Sequence, residues 1–194
     1  MGFITVAGTG DPNDAAGEYQ EALAVLYGLT FTIKMSKMSG DQPDGYFEYV
    51  VAPLEGLWWT DDKPFSGMSI EDKSAFSWVS MIRQPDFVTS DVFDWAVEQL
   101  ARKKPELDAS RARFTMYHEG LCAQILHKGP YDDEPATIAK LDRYLVSEGY
   151  AADISDSRDP YPLGRRHHEI YLGDPRRSKP ENLKTVIRHP VRPT

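Results

Sequence analysis

Cysteine is nearly missing. Cys122 stands alone in 194 residues, so no intrachain disulfide forms and a reducing cytoplasm is the expected setting. No stretch approaches the roughly 18 apolar residues that a membrane span needs. The opening Met1-Gly2-Phe3-Ile4-Thr5 lacks the basic and apolar regions of a signal peptide. Low-complexity character is missing too, because 14 Gly and 14 Pro are scattered without a period. A Gly-x-x-x-x-Gly-Lys-Ser/Thr loop and a Gly-x-Ser-x-Gly elbow are both absent, which excludes those two phosphate-binding and serine-nucleophile motifs. Positive charge is short: 22 Lys and Arg oppose 30 Asp and Glu, for a net charge of -8. Such a chain repels phosphate backbones. Its late basic runs, Arg165-Arg166-His167-His168 and Arg176-Arg177-Ser178-Lys179, abut Pro, Gly and acids as solvated loops do. Neither a nucleic-acid nor a membrane partner is expected.

What the chain does have is aromatic surface to bury. Four Trp, ten Tyr and eight Phe are enough to close a core, and the length suits one domain with approximate halves 1–110 and 111–194. Phe3 to Ala7 reads as a strand ended by a Gly-rich turn. Asn13 or Asp14 caps a helix to about Met38, whose Tyr19, Ala22, Leu23, Leu26, Tyr27 and Ile33 share one face, and which Gly28 predicts to kink or stop early. Tyr46 to Ala52 and Leu54 to Thr60 read as two strands broken at Pro53. Asp61 to Asp72 is a polar connection, and Lys73 to Ile82 fits strand or helix equally. Thr89 or Ser90 caps a helix over Asp91–Lys104 with Phe93, Val97 and Leu100 inward. Phe114 to Tyr117 and Leu121 to His127 predict a hairpin across His118-Glu119-Gly120. A last helix runs from about Glu134 to Glu148, with Ile138, Leu141, Tyr144 and Leu145 inward and Gly149 as its cap, followed by a strand at His168–Leu172.

Two segments recur in the same order. Val6-Ala7-Gly8-Thr9-Gly10 before the first helix parallels Ile125-Leu126-His127-Lys128-Gly129 before the last. Tyr46-Phe47-Glu48-Tyr49-Val50-Val51 parallels His167-His168-Glu169-Ile170-Tyr171-Leu172. A duplicated strand–helix–strand unit is implied, which places Glu48 and Glu169 on opposite sides of a cleft.

Chemistry-bearing residues are few. Adjacent His167 and His168 point to opposite faces of a strand and cannot share one ion, and His118, His127 and His189 lack ligand spacing, so no metal is assigned. Cys122 lies in an apolar run and reads as an inert thiol. Aromatic and acidic side chains remain. Strand alternation puts Glu169 and Tyr171 on one face; a pocket carboxylate there attracts a cation if ionised, or works as acid or base if desolvated. The bland alternative is a solvated strand glutamate. Trp59, Trp78, Met81 and Tyr171 are the candidate walls, since aromatic faces stack on flat or cationic ligands.

The stretches His127-Lys128-Gly129-Pro130-Tyr131-Asp132-Asp133-Glu134-Pro135 and His167-His168-Glu169-Ile170-Tyr171-Leu172-Gly173-Asp174-Pro175 resemble the GyrI-like small-molecule-binding superfamily. Pro53-Leu54-Glu55-Gly56-Leu57-Trp58-Trp59, Trp78 to Val88 and the tail Pro180 to Val191 are similar to one stand-alone branch, the cyclopropanoid cyclopropyl hydrolases. These stretches span most of the chain from about Tyr46 onward. The resemblance implies an α+β fold of two pseudo-twofold-related strand–helix–strand–strand units with a ligand cleft between them. It also implies that the pocket glutamate falls on Glu169 and the Gly-Pro-Tyr tyrosine on Tyr131.

Two functions follow from that resemblance. One is a detoxifying hydrolase, needing no cofactor, in which Glu169 is general base and Tyr131 its hydrogen-bonding partner. The other is non-catalytic binding of lipophilic or cationic drugs, or a topoisomerase-inhibitor-like protein contact. In either case a hydrophobic or cationic aromatic small molecule is the expected ligand, and a monomer or weak homodimer the expected state.

Overall fold

The structure is a computed structural model that describes residues 1–60, 72–175 and 177–194. It has the expected α+β class: an antiparallel sheet with helices. The chain forms two compact units, Met1–Ala52 with Val79–His118, and Pro53–Trp78 with Glu119–Thr194.

The first unit is built on strand β1 (Gly2–Thr9), which pairs antiparallel with β4 (Ala112–Met116), Ile4 opposite Phe114. Helix α1 (Glu18–Lys34) packs on β1 and on α2 (Ser90–Lys103). Its inward residues Tyr19, Ala22, Leu26, Leu29 and Ile33 recur every three or four positions, and the last three are wholly buried. Each such aliphatic side chain contributes about 1.5–3 kcal/mol by leaving water. Helix α1 starts later than its sequence suggests because Asp11 and Asp14 accept from the backbone N–H groups of Asn13 and Ala16, closing local turns instead of capping a helix. Gly28 neither kinks nor ends it. A Cβ there would lie 3.1 Å from Leu100 Cδ1, so the glycine serves the approach of α2. Thr89 caps α2 as expected, accepting from Val92 N–H at 3.3 Å.

Two expectations fail here. Tyr46 to Ala52 forms no strand, because Tyr46, Phe47 and Tyr49 pack against one another and Phe87 instead of pairing with a neighbour. The second of the two sequence parallels therefore does not join like elements. The hairpin is also absent: β4 pairs with β1, whereas β5 (Cys122–Lys128) pairs with β8 (Lys184–Pro193). Gly120, at φ 78°, turns the chain away between them.

In the second unit the strand order is β2 (Leu54–Thr60), β7 (His167–Tyr171), β8 and β5, with short β6 (Tyr150–Ala152) on the far end of β8. Helix α3 (Glu134–Ser147) lies on β5 and β6. Leu141, Leu145 and Val191 pack with Ala123, Ile125 and Tyr150 beneath it. Ile138 is inward as predicted, but Tyr144 is exposed. Gly149 follows the helix end at φ 76°, a conformation costly for other residues. The ambiguous segment from Lys73 resolves as one short turn and then β3 (Phe76–Arg83), within which the chain passes from the second unit to the first. The expected connection at 61–71 lies outside the described residues.

Candidate functional site

Strand alternation brings the chemistry to one face of β7. His167, Glu169 and Tyr171 point the same way, and the registers place Trp58 opposite His167, Gly56 opposite Glu169 and Thr185 opposite Tyr171. His189 follows Ile187 on β8, two residues along the same face. Helix α3 adds Glu134 from its first turn.

Glu169 is held at both oxygens. His167 Nε2 lies 2.8 Å from Oε1, and the Tyr171 hydroxyl donates to Oε2 at 2.7 Å. Tyr171 is itself fixed, since its oxygen accepts from Trp58 Nε1 at 2.9 Å. Its ring also meets Tyr131 edge-on at 5.7 Å. Burial opposes the Glu169 charge, yet the His167 and Tyr171 contacts outweigh it and hold the carboxyl below its usual range. Glu134 behaves oppositely. Burial, and then the neighbouring Glu169 charge, push its carboxyl up to about 9. The α3 dipole favours an anion at that position by at most about 2 kcal/mol. A shift of several pKa units, at about 1.4 kcal/mol each, is beyond its reach. At neutral pH Glu134 is therefore a neutral acid beside an ionised one, and its Oε1 has no hydrogen-bond partner among the described residues.

The turn that delivers Tyr131 is built locally. Gly129, at φ 136°, swings the chain out of β5, and His127 ties the turn by contacts to Thr137 Oγ1 at 2.9 Å and Pro130 O at 3.0 Å. Burial and the nearby Glu169 raise the Tyr131 phenol to about 12. It is thus a hydrogen-bond donor at physiological pH and not a base. Its side chain is about a third exposed, so it stands at the wet side of the site.

Of the other sequence candidates, Trp59 lies on the opposite face of β2 from Trp58, with the Arg166 guanidinium 3.7 Å above its ring. Trp78 and Met81 are fully buried in β3. Glu48 is an exposed side chain of the first unit, paired with Lys34 at 3.0 Å and Lys37 at 2.7 Å, which pull its carboxyl down to about 2. A surface hollow of that unit, lined by Phe87, Trp95, Asp41, Asp44 and Asp91 among others, contains none of the site residues. Burial pushes the Cys122 thiol up to about 11, so it is a poor nucleophile.

Sequence reasoning missed Trp58, Glu134, His167 and His189. Trp58 was findable: Trp58 and Trp59 must face opposite ways, and the partner register decides which one meets Tyr171. Glu134, His167 and Glu169 also offer one ligand atom each within 4.8 Å of one another, the metal-capable group found among the described residues. Gly56 is required beneath it, because a Cβ would meet Trp58 Nε1 at 2.6 Å and Tyr171 Oη at 3.2 Å. Gly56→Ala is expected to displace the indole and break the Trp58–Tyr171 bond, shifting tryptophan emission while the fold persists. An unchanged emission spectrum would count against this packing.

The opposite face of the same strands carries a second polar cluster. His168 lies 2.9 Å from both Glu119 Oε1 and Glu55 Oε2, and Arg188 reaches Glu119 Oε2 at 3.1 Å. Both ring nitrogens face carboxylate oxygens, so both must donate.

The chain is similar to known proteins over nearly its whole length. The sequence model of the GyrI-like small molecule binding domain matches residues 1–192. An uncharacterized conserved protein from Listeria innocua is 43% identical, with a TM-score of 0.88, over 99% of this chain and 88% of that one. A hydrolase from Listeria innocua is 42% identical, with a TM-score of 0.84, over 99% of this chain and 87% of that one. The C-terminal domain of EcmrR, at 11% identity and a TM-score of 0.53 over 100% of this chain and 92% of that one, shares the fold alone. No curated protein matches the chain.

Proposed function

The chain belongs to the GyrI-like small-molecule-binding family, and from that premise we propose that it is a detoxifying hydrolase that opens the strained ring of cyclopropanoid alkylators, with Glu169 as general base. The observation that carries this reading is the pairing of Glu169. An unpartnered pocket carboxylate recruits a cation, but here His167 and Tyr171 already bind the charge and Glu134 is neutral. The carboxylate is thereby oriented as a base, and a neutral, flat electrophile meets it beside Trp58, Tyr171 and Tyr131. The 42% identical Listeria protein described as a hydrolase supports the same class of chemistry.

The reaction needs water to attack a cyclopropane carbon. Glu169 takes the water proton as the new C–O bond forms and the ring C–C bond breaks. The freed electron pair moves into the conjugated carbonyl, whose oxygen then takes a proton from solvent. Tyr131 donates a hydrogen bond to hold the water or the carbonyl, and its high pKa keeps that proton in place. One general base contributes about 10²–10⁴-fold, enough for a ring already activated by strain. The direct test incubates the protein with a cyclopropanoid alkylator and follows the ring-opened product by mass spectrometry. A panel of lipophilic cations is read in parallel by tryptophan quenching. Ring-opened product with feeble cation response is expected. Tight cation binding with no ring opening would overturn the hydrolase reading in favour of sequestration.

A further inference from the structure

We propose that His189 is a positioning residue for the base: it donates a hydrogen bond to His167 and so keeps the His167 proton aimed at Glu169. The proposal rests on the hydrolase reading above. The β7–β8 register sets His168 opposite Arg188, and one step further places His189 across from His167, on the face that carries Glu169. Both imidazoles are wholly buried, with ring centroids 5.1 Å apart. His167 Nε2 lies 2.8 Å from Glu169 Oε1, and His167 Nδ1 lies 2.8 Å from His189 Nε2. Burying two such rings is costly unless their polar atoms are bonded.

The two ends of this row fix the direction of its bonds. Glu169 is ionised and only accepts, so His167 Nε2 carries a proton and donates it to Oε1. At the other end, His189 Nδ1 has no hydrogen-bond partner among the described residues, and Asp142 Oδ1, at 3.8 Å, is out of reach. A proton on His189 Nδ1 would be a buried, orphaned donor. His189 Nε2 would then be bare, and His167 would need protons on both nitrogens to bridge the rings, which adds a buried cation. With the proton on Nε2 instead, His189 donates to His167 Nδ1 and both rings are neutral. One lone pair, at His189 Nδ1, is all that stays unbonded in the row. Burial, and then the neighbouring His167, push His189 down to about 3, which agrees with a neutral ring bearing a single N–H. The consequence falls on Glu169. His167 holds Oε1 and the Tyr171 hydroxyl holds Oε2, so the plane of the carboxylate is set. A neutral donor orients the base without the loss of proton affinity, about 10- to 1000-fold, that an adjoining cation imposes. His189 thus acts through His167, by choosing its tautomer.

Nitrogen-15 spectra of the full chain, labelled at histidine, test this arrangement without any substrate. His167 and His189 are both expected protonated at Nε2 and bare at Nδ1. A His189 proton on Nδ1, or His167 protons on both nitrogens, would overturn the proposal. A second arm uses a cyclopropanoid alkylator as probe. His189→Leu removes the donor and should lower kcat by roughly 10²-fold, the cost of a small misplacement of a reacting group, with KM little changed. His189→Gln, whose amide reaches about as far as Nε2 and can donate, should recover most of that rate. Equal rates in the two folded variants would reject the donor role and leave the hydrolase reading standing. Should His189→Leu fail to fold, the spectra of the unaltered chain decide. Absence of ring opening by the unaltered protein would instead reject the hydrolase reading, and the tautomers alone would then decide whether His189 donates to His167.

Discussion

Glu169→Gln is expected to reduce ring opening of a cyclopropanoid alkylator by at least about 100-fold, because it removes the basic oxygen pair while keeping the side chain's size. The effect falls on kcat more than on KM, since the aromatic walls that would hold a flat substrate are untouched. The substitution also changes its surroundings. Without the Glu169 charge, one cause of the raised Glu134 pKa disappears, so Glu134 titrates below its present value of about 9. Tyr131→Phe should cost less, because it deletes one hydrogen bond and leaves the carboxylate in place. The measurements are kcat and KM by product mass spectrometry, with thermal unfolding to show that the variants are folded. Undiminished turnover in Glu169→Gln would reject its role as base, and the assignment of the ligand face would outlive that result.

His168→Ala should destabilise the protein by about 3–5 kcal/mol, the usual cost of breaking a buried ion pair from one side. The substitution removes the His168 contact from buried Glu55 and from largely covered Glu119, and of these two carboxylates Arg188 reaches Glu119. Urea unfolding should show a lower midpoint with an unchanged slope. A stability within about 0.5 kcal/mol of the parent, the size of an ordinary surface change, would show that the cluster carries no such load. Its pH signature is distinct. Burial lowers the His168 pKa, but the hydrogen bonds and charges of Glu119 and Glu55 outweigh it, so the folded value lies above the ordinary 6.5. That contribution is complete below about pH 6.5 and is lost as pH rises through the raised value. For Glu119, burial raises the pKa and the contacts of His168 and Arg188 outweigh it, so the folded value lies below 4.5. Its contribution is present above 4.5 and is lost as pH falls through the lowered value. The cluster therefore stabilises most between those limits. Glu134 works against this trend, since a carboxyl raised to about 9 contributes less stability as pH climbs from 4.5 to 9.

Local sequence rules carried a definite part of this protein. Apolar spacing set the inward faces of α1, α2 and α3, because a helix repeats every 3.6 residues whatever packs on it. The side-chain period of two set Glu169 and Tyr171 on one face and His168 on the other. Acidic excess and the solitary Cys122 were legible as composition. Tertiary structure decided which partners those faces meet. Tyr46 to Ala52 has strand-like residues, yet its aromatics found Phe87 before any pairing strand. Strand β8 escaped notice because Lys184, Arg188, Pro190 and Arg192 make it read as a polar tail, although Thr185, Ile187 and His189 are fully buried. Charges at its alternate positions are tolerated because each reaches solvent or a partner such as Glu119. Glu134, His167, Glu169 and His189 come from α3, β7 and β8, and their charges depend on burial and on one another. A carboxyl near 9 beside an ionised one is a property of separation and desolvation, and neither exists until the chain folds.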